Sequence, residues 1–137
     1  MAEVKAPINQ QPEPPEKSRV LSDLVVGILL IAVLGLAAYL RFTGLNWDSY
    51  SHLHPDERFL TMVETSIQPP QSIGEYFNTE TSPLNPHNVG HGFFVYGSFP
   101  IFLVRYLAEW TGMSGYDEVH LLGRAVSGIS DLVAILL

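Results

Sequence analysis

The sequence predicts a mainly α-helical membrane protein: one clear transmembrane helix, two amphipathic juxtamembrane helices in an extracytoplasmic loop, and the start of a second span. Three observations predict it. Leu24 to Leu40 is an unbroken apolar run closed by Arg41. The hydrophobic content of 47% is gathered into blocks rather than spread at core periodicity. Basic residues precede the run, and an acidic stretch follows it.

The apolar run sets the frame. A helix rises about 1.5 Å per residue, and the run, extended by Val20, Leu21 and Phe42, covers most of a hydrocarbon core about 30 Å thick. A transmembrane helix is therefore expected over residues 20–42. A buried core helix would need a large soluble domain around it, which the rest of the chain does not supply. A cleaved leader would have a shorter apolar region and no Pro-rich segment before it.

Lys5, Lys17 and Arg19 lie before the span, while Asp48, Asp56, Glu57, Glu64, Glu75, Glu80, Asp117 and Glu118 lie after it. The positive-inside rule then puts the N-terminus in the cytoplasm and residues 43–118 outside, with Arg41 the one dissenting base. The expected location is a cell membrane of the bacterial inner-membrane kind. Residues 1–19 form a Pro-rich cytoplasmic tail, too poor in large apolar groups to order alone, so a neighbour is expected to hold it.

Beyond the span, Phe42 to Leu53 is a short aromatic connection with Trp47 and Tyr50 suited to a membrane interface. A helix is expected near 55–67. Pro55 fits a first helical turn, Asp56 and Glu57 suit its positive end, and Phe59, Leu60, Val63 and Ile67 form one stripe before Pro69-Pro70. Gln68 to Gly92 reads as a long loop, of the kind that is functional or docked on a partner. A second surface helix is expected near 99–110, with Pro100 at its first position and Arg105 to Glu109 spaced i,i+4.

The second span is expected to begin near 119 and run to Leu137. His120, Arg124, Ser127 and Asp131 form one polar stripe, and Gly123, Gly128 and Ser130 would admit another helix closely. Charge at membrane depth is costly, so Asp131, with Ser127 and Gly128, is expected to meet a partner absent from the chain.

Composition removes several functions. A net charge of −7 with scattered bases gives nucleic-acid phosphates no basic patch. Without cysteine there is no disulfide framework, thiolate metal site or covalent haem. His52 with His54, and His87 with His91, are not convincing ligand spacings, and no metal site is expected from them. The chemistry-bearing stretch is His54-Pro55-Asp56-Glu57-Arg58. Adjacent carboxylates at a helix start are commonly capping groups, and that reading stands beside a catalytic one.

By pattern, HPDE soon after the first span resembles the opening of the GT-C class of polytopic glycosyltransferases, in the branch of protein mannosyltransferases and aminoarabinose transferases. Ser82-Pro83-Leu84-Asn85-Pro86-His87, Tyr96-Gly97-Ser98-Phe99-Pro100 and Gly123-Arg124-Ala125-Val126-Ser127-Gly128 look like that family's following segments. The resemblance runs from about Leu40 onward. It implies Asp56 as catalytic base with Glu57 beside it, and Arg58 and Arg124 as substrate contacts. It also implies a polyprenyl-phosphate sugar donor, and a divalent metal is possible, both only in a complete enzyme. No cofactor is evident in the chain itself. Family members carry many spans, so a chain of this length is not expected to be catalytic alone, and the missing spans would be its partners, together with the lipid bilayer. The alternative is a small accessory subunit of a multi-subunit membrane complex, respiratory or photosynthetic for example, held against its neighbours by tail, loop and helices.

Overall fold

The computed structural model describes the backbone from Glu16 to Leu137 and the side chains from Arg19 onward. The expected ordering of the Pro-rich tail falls largely outside these residues. The described chain is mainly helical, with no strand among the described residues. Two helices are long and apolar enough to cross a membrane. The chain divides into two compact units after Leu36.

The first unit holds most of α1, Glu16–Phe42. From Arg19 to Leu36 none of its side chains is buried, and Leu24, Ile28, Ile31 and Leu36 all stand more than half exposed. A helix apolar on every face has the composition of a membrane span or of a segment buried by other protein.

The second unit, from Ala37 onward, is built on α2 (Pro55–Ser66), α4 (Ser98–Thr111) and α5 (Tyr116–Leu136), each packed on the other two. α2 starts where its chemistry dictates. The His54 ring nitrogen Nδ1 accepts from the Glu57 N–H at 3.4 Å, Pro55 occupies the first turn, and two acids face the positive helix end. The helix stops before Pro69, whose ring drives Gln68 out of helical backbone. Its apolar stripe supplies Val63 and Ile67 to a core completed by Leu84 and Ile101, with Phe59, Leu60 and Phe102 packed around it. A second cluster joins Val104 and Ala108 of α4 to Val119 of α5.

Several boundaries differ from expectation. α4 begins at Ser98, so Pro100 is its third residue, a position whose N–H also lacks an intrahelical partner. Gly112 ends α4 in the left-handed region at φ 74°, its N–H shared between the Ala108 and Glu109 carbonyls. α5 starts at Tyr116 rather than near 119, because Gly115 precedes it and Asp117 and Glu118 fill its first turn.

The expected loop after Gln68 is not structureless. It contains α3 (Ile73–Phe77), capped by the Ser72 hydroxyl, and a 3₁₀ turn at Pro86–Val89 capped by Asn85. Amide side chains hold it together. Asn85 Nδ2 donates to the Thr79 carbonyl at 2.8 Å, and Asn88 Nδ2 donates to the carbonyls of Thr79 and Ser82 at 3.0 Å. Loop composition shows that regular helix ends, but not that these asparagines replace it with a fixed path.

The polar stripe of α5 is also satisfied differently than expected. Arg41 pairs with Asp131 at 2.8 Å, and Arg124 finds acids in the chain. Gly128 receives the Phe42 ring: a Cβ there would stand 3.2 Å from two ring carbons. Two members of the stripe, Arg124 and Asp131, thus have partners within the chain, supplied by Arg41, Asp48 and Glu57.

Candidate functional site

The connection from Thr43 to His54 is where the chain takes unusual backbone. Ser49, Tyr50 and His52 have φ of 49°, 63° and 48°, left-handed conformations that cost a non-glycine residue about 1 kcal/mol or more each. Local bonds hold the turn: Tyr50 N–H donates to Asn46 Oδ1 at 3.0 Å, and Ser51 N–H to the Asp48 carbonyl at 3.0 Å. The result is that Asp48 and His52, both polar, are 5% and 4% exposed.

Asp48 is buried against Arg124. The guanidinium donates to Asp48 Oδ1 and Oδ2 at 3.2 and 3.0 Å, to Glu57 Oε1 and Oε2 at 2.5 and 2.8 Å, and to the Leu45 carbonyl at 2.5 Å. Trp47 lies under it, 5.5 Å from ring centroid to guanidinium carbon. A guanidinium has five N–H donors, and all five are used by the chain. Arg124, expected as a substrate contact, therefore has no donor left for a bound anion; it ties α5 to α2 and to the turn before α2. Arg124 holds the Asp48 carboxyl below the ordinary carboxylate range.

The two carboxylates of HPDE have been given different surroundings. Glu57, expected as the neighbour of a base, is engaged through both oxygens. Asp56 is exposed, in no ion pair among the described residues, and faces the Tyr96 hydroxyl. Partial desolvation and then the Asp56 carboxylate raise the Tyr96 phenol above its ordinary value. Arg58 is exposed and its side chain makes no hydrogen bond or ion pair among the described residues. Asp56 and Arg58 are thus the members of the motif open to a ligand.

A cavity of about 530 Å³, which neither Asp56 nor Arg58 lines, lies between α2, α4 and α5, with Glu57, Glu64, His120, Arg124 and apolar residues including Leu60, Ile101 and Val104 in its wall. Glu64 is 6% exposed. Burial, and secondarily the Glu57 charge, raise its carboxyl from an ordinary 4.5 to about 8, against the opposing pull of Arg105. The Arg105 guanidinium bonds the Glu64 carbonyl at 3.2 Å and the Glu109 carboxylate. His120 is 2% exposed, and neither of its ring nitrogens has a hydrogen-bond partner among the described residues. It packs against His52, ring centroids 4.4 Å apart, while His52 Nε2 meets Asp117 Oδ1 at 3.1 Å. No cluster of three or more potential metal ligands occurs among the described residues.

Glu64 carries a pH prediction. Its folded pKa lies above its unfolded one, so stability is full below about 4.5 and falls as pH rises toward about 8, by about 1.4 kcal/mol per pH unit. Above about 8 both states are ionised and the loss levels off. Glu64→Gln cannot ionise, so its melting temperature should fall much less between pH 5 and pH 8 than the parent's. Parallel slopes in a detergent melting series would show that Glu64 is not a buried neutral acid.

Sequence reasoning missed Asp48 and Glu64. Asp48 was visible only as a counter-charge that Arg124, in an apolar helix, would require. Glu64 was more legible, since it lies i+4 from Leu60 and next to Val63, inside the apolar stripe of α2. Compared with protein-family models, curated proteins and solved structures, the chain matches none.

Proposed function

We propose that this chain is the opening segment of a membrane-embedded, inverting glycosyltransferase of the GT-C kind, using a polyprenyl-phosphate sugar. The observation that carries the reading is the division of labour within HPDE, where Glu57 is locked to Arg124 and Asp56 stands open. Neighbouring carboxylates in unlike surroundings are how one site separates a reactive group from a supporting one.

In this reading α1 anchors the chain with its N-terminus cytoplasmic, and residues 43–118 are extracytoplasmic. Asp56 takes the proton of an acceptor hydroxyl as that oxygen attacks the anomeric carbon. The bond from that carbon to the phosphate oxygen breaks on the opposite side, so configuration inverts and the polyprenyl phosphate leaves with the electron pair. Arg58, one residue past the tied Glu57, is the free cation nearest in sequence to meet the departing charge. Later spans would complete the donor site.

Arg41, Asp48 and Glu57 pair Asp131 and Arg124 within the chain, which weakens the need for a neighbour on that face under the transferase and the subunit readings alike. The transferase reading is carried forward on the unlike surroundings of Asp56 and Glu57. Its test is transfer by the complete gene product from a labelled polyprenyl-phosphate sugar. Product of inverted configuration is expected. Retained configuration, or no transfer by an inserted and folded protein, would overturn the proposal.

A further inference from the structure

A second cavity, of about 430 Å³, lies between the loop after α3 and the start of α4. Its wall sets aromatic rings (Tyr76, Phe94, Tyr96 and Phe102) beside hydrogen-bonding groups of Thr79, Ser82, Asn85, His87 and Ser98, and no Asp, Glu, Lys or Arg lines it. Such a wall offers a phosphate or carboxylate no permanent counter-charge, with the His87 imidazole its one basic group. It suits a neutral ring with apolar C–H faces and hydroxyl edges, stacked on aromatic carbon and bonded at its rim.

Two further observations point to an occupant. Ser82 is 3% exposed, and its hydroxyl has no hydrogen-bond partner among the described residues. A buried hydroxyl without a partner is costly, and a ligand oxygen in the cavity would satisfy it. The cavity is also preformed, because Asn85 and Asn88 pin the loop backbone at Thr79 and Ser82 rather than offering all their amide groups to a ligand. At the opposite edge, Tyr96 packs with Phe94 and Phe59, ring centroids 6.0 Å apart in both pairs, and faces Asp56.

We propose that this cavity holds a neutral sugar ring of the acceptor, bonded by Ser82, stacked on Tyr76 and directed past Tyr96 toward Asp56. The role of the occupant as acceptor rests on the reading of Asp56 as the base; the binding itself does not.

The test is a saturation-transfer NMR titration of the full chain in a detergent without sugar head groups. Methyl α-D-mannopyranoside is the probe, with mannose 1-phosphate and a short uncharged threonine peptide as comparisons. Saturable binding of the methyl glycoside is expected, stronger than that of the phosphate or the peptide. Ser82→Ala should weaken it about five- to tenfold, with no drop in melting temperature because an unpaired hydroxyl is removed. Tyr76→Ala should weaken it about tenfold. No saturable binding, binding unchanged in both variants, or preference for the peptide would overturn the inference. Intact sugar binding with no transfer by the complete gene product would strike the reading of Asp56 alone; transfer without this binding would strike the cavity alone.

Discussion

Arg124→Met should cost the second unit about 3–5 kcal/mol, a large share of the stability of an ordinary domain, which is about 5–15 kcal/mol. The variant removes the cation and leaves two carboxylates behind. The Asp48 side chain is fully buried and cannot rehydrate without breaking the packing around it, while that of Glu57 is 24% exposed and rehydrates only in part. The loss also propagates, because the same guanidinium bonds the Leu45 carbonyl and covers Trp47, and these contacts hold a turn with three left-handed residues. Arg124→Lys should recover only part of it, since an ammonium has three donors and cannot reach two carboxylates and a carbonyl in one plane. Thermal melts in mild detergent measure it. A loss under about 1 kcal/mol for Arg124→Met would mean that the tie is a surface ion pair.

Asp56→Asn should lower transfer by the complete gene product by about 10²- to 10⁴-fold, the usual contribution of a positioned general base. Its melting temperature should stay near the parent's, because the Asp56 side chain is exposed, bears no ion pair among the described residues, and asparagine is a tolerated first-turn residue. Glu57→Gln should show the reverse. It removes a charge from a bidentate pair, so stability falls first and turnover follows the folded fraction. If Asp56→Asn turns over normally, Asp56 is a helix-capping acid, the plain reading of an aspartate in that position.

Much of the helical layout was legible. Run length marked α1, a proline followed by two acids marked the start of α2, and Pro100 with the Arg105 to Glu109 spacing marked α4. The tie at Arg124 was not legible, because its partners lie 67 and 76 residues away and no local period encodes such a distance. It depends on Ser49, Tyr50 and His52 adopting backbone that glycine would normally announce. Arg124 itself carried a partial signal. A guanidinium in an apolar helix requires counter-charges, and the sequence held them in Asp48 and Glu57, but pattern alone assigned the need to another chain. The asparagines of the loop misled in the same direction, since residues that break helices also pin irregular backbone by their side-chain amides.

The division of roles between Asp56 and its neighbours can be measured directly by carboxyl footprinting. The folded chain is treated briefly with a water-soluble carbodiimide and an amine, and the extent of labelling at each acid is read by mass spectrometry. Asp56 should label rapidly, while Glu57 and Asp48 stay protected as long as Arg124 is present and become reactive in Arg124→Met. Equal labelling of Asp56 and Glu57 in the parent chain would contradict the account, because a carboxylate held through both oxygens cannot react as freely as an open one.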